Sequence, residues 1–146
     1  EKLKKLLDEC EIKPHVIQME AHPYYRDEET IAALAPCGCC VMAWYPLGHG
    51  DHALLEEPVV KELAEKYGKS TAQVILRWHT QVGNIVIPGS TNPEHIKVNL
   101  DIFDFELTEE EMKQMAGLNK NVRYYYPDEE KLAAYANMKI DLDSQK

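Results

Sequence analysis

The sequence predicts an α/β fold in which three parallel strands are flanked by helices. Three observations lead there. Helix-patterned and strand-patterned segments alternate along the whole chain, as they do in parallel sheets built by helical crossovers. Cys39–Tyr45 is a near-continuous apolar run, the pattern of a strand covered on both faces. Ile85–Asn99 runs from an apolar strand through a polar turn into a helix start, with Asn92 placed to cap, Pro93 in the first turn and Glu94 at the positive end of the dipole. A strand that ends at a helix N-terminus offers free backbone N–H groups to an anion.

The elements follow in order. Residues 1–11 read as a helix with Leu3, Leu6, Leu7 and Cys10 on one face. His15–Glu20 reads as a strand between Pro14 and His22-Pro23. Asp27–Ala35 reads as a helix capped by Asp27, and Cys39–Tyr45 as the second strand. Pro46–Asp51 is a loop. Pro58–Tyr67 is a helix stopped by Gly68, and Thr71–Gln81 a helix capped by Ser70. Asn84–Ile87 is the third strand and Pro93–Leu100 the helix after it. Thr108 and Glu111 have capping-box spacing at the head of a helix over Glu109–Leu118. Asn121–Tyr126 reads as a loop and Asp128–Asn137 as a last helix. Three strands do not close a barrel, and a parallel sheet this small leaves both edges bare. No linker or repeat divides the 146 residues, so residues 1–146 are expected to form one piece of one domain with no second domain. The chain opens inside a helical pattern without Met, as a segment of something longer would.

Charge narrows the partners. The net charge of −9 opposes binding to nucleic acid or to an anionic membrane surface, both of which need clustered Lys and Arg. No apolar run approaches the roughly 20 residues of a membrane helix, and the charged N-terminus is unlike a signal peptide. Cys37, Cys39 and Cys40 crowd together, but no C-x-x-C pair occurs among the four cysteines. They are expected to be buried thiols acting as small apolar residues in a reducing, cytoplasmic setting, with no metal.

Five segments then point to a family. Val16–Pro23 (V-I-Q-M-E-A-H-P), Val41–Gly48 (V-M-A-W-Y-P-L-G) and Glu65–Trp78 (E-K-Y-G-K-S-T-A-Q-V-I-L-R-W) resemble three motifs of the aldo-keto reductases. Ile85–Asn99 (I-V-I-P-G-S-T-N-P-E-H-I-K-V-N) and Phe103–Met112 (F-D-F-E-L-T-E-E-E-M) resemble two more, in family order. The resemblance implies a (β/α)8 TIM barrel of roughly 250 residues or more, with its site at the C-terminal face of the strands. It implies that this chain is a partial barrel supplying strands six to eight, from about the fifth helix onward. It further implies NAD(P)H-dependent reduction of aldehydes and ketones.

The family's proton-donating Tyr and its Lys, Asp and His partners lie upstream of the region that this chain resembles. No catalytic residue is therefore assigned here; Tyr24, Tyr25 and Tyr45 read as core or surface aromatics, and the chain alone is expected to be inactive. The cofactor positions do align. By resemblance, Gln18 holds the nicotinamide carboxamide, unless it is only a polar plug in the barrel mouth. Trp44 stacks on the nicotinamide ring, or is a core Trp. Tyr45, Leu47, His49 and Asp51 belong to the loop around the pyrophosphate, and Ser90, Thr91, His95 and Asn99 to the adenosine-phosphate site. NADPH-preferring members place Lys and Arg where this sequence has Gly89 and His95. Bidentate guanidinium pairing is lost, so NADPH preference is expected to weaken and NADH to be tolerated. The alternative is a non-catalytic truncated barrel or pseudo-enzyme that binds a dinucleotide or itself. Exposed edges favour a homo-oligomer or a missing N-terminal half. The aromatic tail Arg123–Pro127 either lines a pocket or packs under the rim.

Overall fold

The computed structural model describes residues 2–139. Helix α1 (Lys2–Glu9) leads into strand β1 (Val16–Glu20). Helix α2 (Glu28–Leu34) and a 3-10 turn (Ala35–Cys37) precede β2 (Cys40–Trp44). A short α3 (His52–Leu55), α4 (Pro58–Tyr67) and α5 (Thr71–Gln81) lead to β3 (Ile85–Val86), followed by α6 (Pro93–Leu100), α7 (Glu109–Ala116) and α8 (Glu129–Asn137). Most expected boundaries hold within two residues. The expected helix over 1–11 ends at Glu9, and Glu1 lies outside the described residues. The 3-10 turn and α3 were not anticipated, since each is under one and a half turns and carries no period to read.

The sheet has the order β1-β2-β3 with both pairs parallel, and Gln18, Met42 and Ile85 lie abreast across it. One face of the sheet is covered. Ile17, Met19, Val41, Ala43 and Val86 pack with Leu34, Ile31, Leu3 and Leu7. The opposite face carries Val16, Gln18, Cys40, Met42 and Ile85, of which all but Met42 are exposed. The expectation that β2 is covered on both faces is thus corrected. Its burial alternates, because no element among the described residues lies over the second face. The expectation of buried thiols is corrected too: Cys40 is exposed on that open face, and Cys10, Cys37 and Cys39 are only half-buried. All four are free. Leu6, expected on the packed face of α1, is also exposed.

The larger core is helical. Val60, Leu63 and Ala64 of α4 meet Val74, Ile75 and Trp78 of α5, with Leu54, Leu107 and Met115 closing the cluster. Trp78 is 1% exposed, and a side chain of that size dominates the apolar burial. Local signals set these helices. Ser70 and Gln73 form a reciprocal capping box at α5, and Thr108 and Glu111 form another at α7. Glu111 also binds Lys66 at 2.5 Å and Tyr67 at 2.7 Å. Burial would raise its pKa, but these donors and Thr108 together hold it at about 2. Gln81 pairs with both backbone groups of Leu107, at 2.9 and 2.8 Å, and so ties the end of α5 to the segment before α7. No helix among the described residues is long and apolar enough to cross a membrane.

Candidate functional site

Parallel strands gather loops and helix N-termini at their carboxyl ends, and that edge is where open α/β sheets bind ligands. A cleft of about 510 Å³ lies there. Gln18, Trp44, Tyr45 and Leu47 line it, with His49, Leu55 and the segment Ile87–Gly89. Five residues proposed from the sequence, Gln18, Trp44, Tyr45, Leu47 and His49, are therefore neighbours in space. Ser90 follows directly on the lining segment, and its hydroxyl accepts from the Asn92 N–H at 3.1 Å. Thr91, His95 and Asn99 lie beyond it on the turn and on α6, outside the lining. Thr91 and His95 are exposed and Asn99 half-buried. Asn92 caps α6, taking the Glu94 N–H at 3.0 Å. Asp51 also falls outside the lining: it caps α3 through the Ala53 N–H at 2.8 Å and accepts from the Tyr124 hydroxyl.

The loop after β2 is tightly wound. Tyr45, Gly48, His49 and Gly50 all have positive φ, at 58°, 78°, 53° and 80°. Gly48 donates to the Tyr45 carbonyl and Asp51 to the Gly48 carbonyl, both at 2.9 Å. The left-handed turn at Tyr45 swings its ring back over Trp44, and on its other side over His49 at 3.9 Å. Gly48 is needed as Gly: a Cβ there would lie 2.9 Å from Leu54 Cδ2 and 3.3 Å from the Tyr124 hydroxyl.

The loop is held from below by His79, which is fully buried. The Asn84 amide nitrogen lies 3.1 Å from His79 Nδ1. An amide nitrogen only donates, so Nδ1 accepts and Nε2 carries the hydrogen. That Nε2–H donates to the Pro46 carbonyl at 3.1 Å. Burial pushes the His79 pKa down to about 4, so the ring is neutral at pH 7.

The aromatic tail packs beside the cleft, outside its lining. Lys120 and Val122 N–H groups donate to the Tyr24 carbonyl, at 3.0 and 3.4 Å. Lys120 Nζ sits 3.5 Å from the centre of the Tyr24 ring and binds Glu57 at 3.0 Å. Arg123 donates to the Tyr25 hydroxyl and pairs with Asp27. Buried Glu20 accepts from the Tyr124 N–H at 2.5 Å, the Tyr125 N–H at 3.3 Å and His22 Nε2 at 3.1 Å. Burial lowers the His22 pKa against the opposing pull of Glu20. Tyr24 and Tyr25 are core aromatics, as expected. Glu20, His79 and Tyr124 were not picked out from the sequence as site residues. The E-x-H-P run and the Tyr triplet carried a visible signal for two of them, whereas His79 sits in an ordinary helix.

No group of three or more His, Cys, Asp and Glu able to hold a metal occurs among the described residues.

Known proteins give the comparison. Residues 1–120 match the sequence model of the "Aldo/keto reductase family". The chain is 47% identical over 130 residues to the human protein "Aldo-keto reductase family 1 member A1", covering 84% of this chain and 40% of that one. It is 46% identical over 123 residues to an aldo-keto reductase of Mycolicibacterium smegmatis, covering 84% and 44%. A Bombyx mori aldo-keto reductase solved in complex with NADP superposes with a TM-score of 0.75 at 36% identity, covering 83% of this chain and 42% of that one. Aldose reductase from Schistosoma japonicum gives 0.77 at 34% identity, covering 85% and 40%. The chain thus spans about two-fifths of the length of the curated relatives it matches.

Proposed function

Because the chain belongs to the aldo-keto reductase family, we propose that it carries the dinucleotide-gripping part of a nicotinamide-dependent carbonyl reductase. Its three parallel strands and their helices correspond to part of that family's (β/α)8 barrel. Residues 1–146 act as one such portion. One observation carries the reading: Gln18 of the first strand, the Trp44–His49 stretch after the second and the Ile87–Gly89 stretch after the third line a single cleft at the carboxyl ends of the strands.

The residues present suit the group. A nicotinamide needs an amide partner and a flat apolar ring, and Gln18 and Trp44 supply both at one cleft. When bound, the cofactor supplies the hydride. Gln18 would pair with its carboxamide and Trp44 would fix which ring face is open. The loop from Tyr45 to Asp51 would lie along the pyrophosphate. Ser90, Thr91, His95 and Asn99 would meet the adenosine phosphate. With Gly89 and His95 at the basic positions, NADH is accepted beside NADPH. No residue of this chain is given the proton transfer, and the carbonyl substrate is a small aldehyde or ketone. The four free thiols accord with a reducing, cytoplasmic location.

The test is to add NADPH or NADH to the full 146-residue chain and measure binding by equilibrium dialysis, then turnover with an aldehyde by loss of nicotinamide absorbance. Binding without turnover is expected. Absence of binding in a folded sample sinks the reading, and turnover sinks the claim that the proton donor lies elsewhere. The uncovered sheet face favours a second reading, a non-catalytic module that buries Val16, Ile85 and Ile87 against another copy. Ile87 is 64% exposed, and an apolar face of this kind marks an interaction surface. A sedimentation profile of a stable monomer would contradict it.

A further inference from the structure

We infer that Glu20 is a positioning residue for the cleft: it ties the C-terminal segment down so that Tyr124 can brace the loop after β2. The inference rests on the reading of the cleft as a nicotinamide site.

Glu20 is 8% exposed and stands beside Trp44 in the sheet register, at the end of β1. A buried carboxylate is costly unless its oxygens find donors, and here they find three. Two are the successive backbone N–H groups of Tyr124 and Tyr125. The third is His22 Nε2, itself on a fully buried ring. This geometry fixes the path of the chain at two consecutive residues, which a side-chain contact alone does not do.

Both residues then reach toward the cleft, Tyr124 through the loop that supplies its lining and Tyr125 through Trp44. The Tyr124 ring packs on His22 with centroids 4.6 Å apart, and its hydroxyl donates to Asp51. Asp51 closes the loop whose Tyr45, Leu47 and His49 line the cleft. The Tyr125 ring meets Trp44 edge-on at 5.1 Å. One carboxylate on β1 therefore acts, through the tail, on the loop of β2 and on the ring proposed to hold the nicotinamide.

The attachment is local. Upstream, Lys120, Val122 and Arg123 have their own partners on Tyr24, Glu57, Tyr25 and Asp27. Downstream, α8 contains no buried residue. Glu20 is thus the last buried anchor of the tail among the described residues. Its loss should free residues 124 and 125 without unfolding the sheet.

Amide hydrogen exchange on the full chain tests this directly. In the parent protein the Tyr124 and Tyr125 amides should be protected. In Glu20→Gln, which offers one oxygen to two N–H donors, they should exchange about tenfold faster or more, while Val41 and Ala43 in β2 keep their rates. NADPH titration should show a Kd raised about five- to tenfold in Glu20→Gln. Tyr124→Phe, which keeps both backbone bonds and removes only the link to Asp51, should raise it about two- to fivefold with its own amide still protected. Three results would overturn the inference. They are unprotected tail amides in the parent protein, equal acceleration in β2, or an unchanged NADPH Kd once the tail amides are free. Failure of the parent chain to bind either dinucleotide sinks the nicotinamide reading and the coupling with it. The exchange rates still judge the anchor separately.

Discussion

The rings of Trp44 and Tyr45 stack 3.9 Å apart and 21° from parallel, although adjacent strand residues ordinarily point to opposite faces. The positive φ of Tyr45 makes this possible by ending the strand in a left-handed turn. One face of Trp44 is thereby committed to Tyr45, and its edge to Tyr125. A nicotinamide bound in the proposed cleft would be left the opposite face of the indole.

Fluorescence should report that contact. Bound NADPH is expected to quench Trp44, since the stacked ring lies against it. In Trp44→Phe the cofactor-dependent quenching should vanish, leaving the steady emission of fully buried Trp78. Undiminished quenching in that variant would place the cofactor away from Trp44.

Cofactor choice should respond to two substitutions. No heavy atom lies within 4 Å of where a Gly89 Cβ would stand, and His95 is exposed on α6, so both sites accept long side chains. Gly89→Lys with His95→Arg is expected to tighten NADPH by about tenfold or more and leave NADH within about twofold, because only the former carries the 2′-phosphate. Parallel titrations of the two dinucleotides check this; equal gains would show a nonspecific charge effect.

His79 makes stability depend on pH. Its pKa falls from 6.5 to about 4 in the fold. Between those values the unfolded chain binds more protons, so stability rises with pH across the window. Its contribution is complete above about 6.5 and is lost as pH falls toward 4. His22, also lowered by burial, acts with the same sign. Thermal melts from pH 7 to 4.5 should show Tm falling as acid is added. His79→Gln, whose amide can still donate to Pro46, should flatten the slope in part. An unchanged slope would remove His79 as a source.

Gly48→Ala should destabilise the loop. The left-handed backbone costs a non-glycine residue about 1–2 kcal/mol. The new Cβ must also displace Leu54, a fully buried side chain. A loss of about 2 kcal/mol or more is expected in urea unfolding, with weaker cofactor binding. A variant as stable as the parent would mean the loop relaxes freely.

The elements readable from the sequence are those with internal signals. Ser70 with Gln73, Thr108 with Glu111, and Gly68 after Tyr67 mark their helices without reference to the rest of the chain. Gln18 and Trp44 were legible as partners only through resemblance, since nothing local joins two positions 26 residues apart. The one-sided burial of β2 was hidden for a related reason. An apolar run records the residues available for covering, not which neighbour does the covering. Glu20 and His79 were missed because their tasks are set by contacts with Tyr124 and Pro46, far along the chain.

The alternation along β2 divides its side chains into two populations with different obligations. Val41 and Ala43 answer to folding, because the helices beneath them leave no slack. Cys40, exposed, answers only to whatever approaches from the open side. A charge written at Cys40 would leave the protein intact and change the company it can keep.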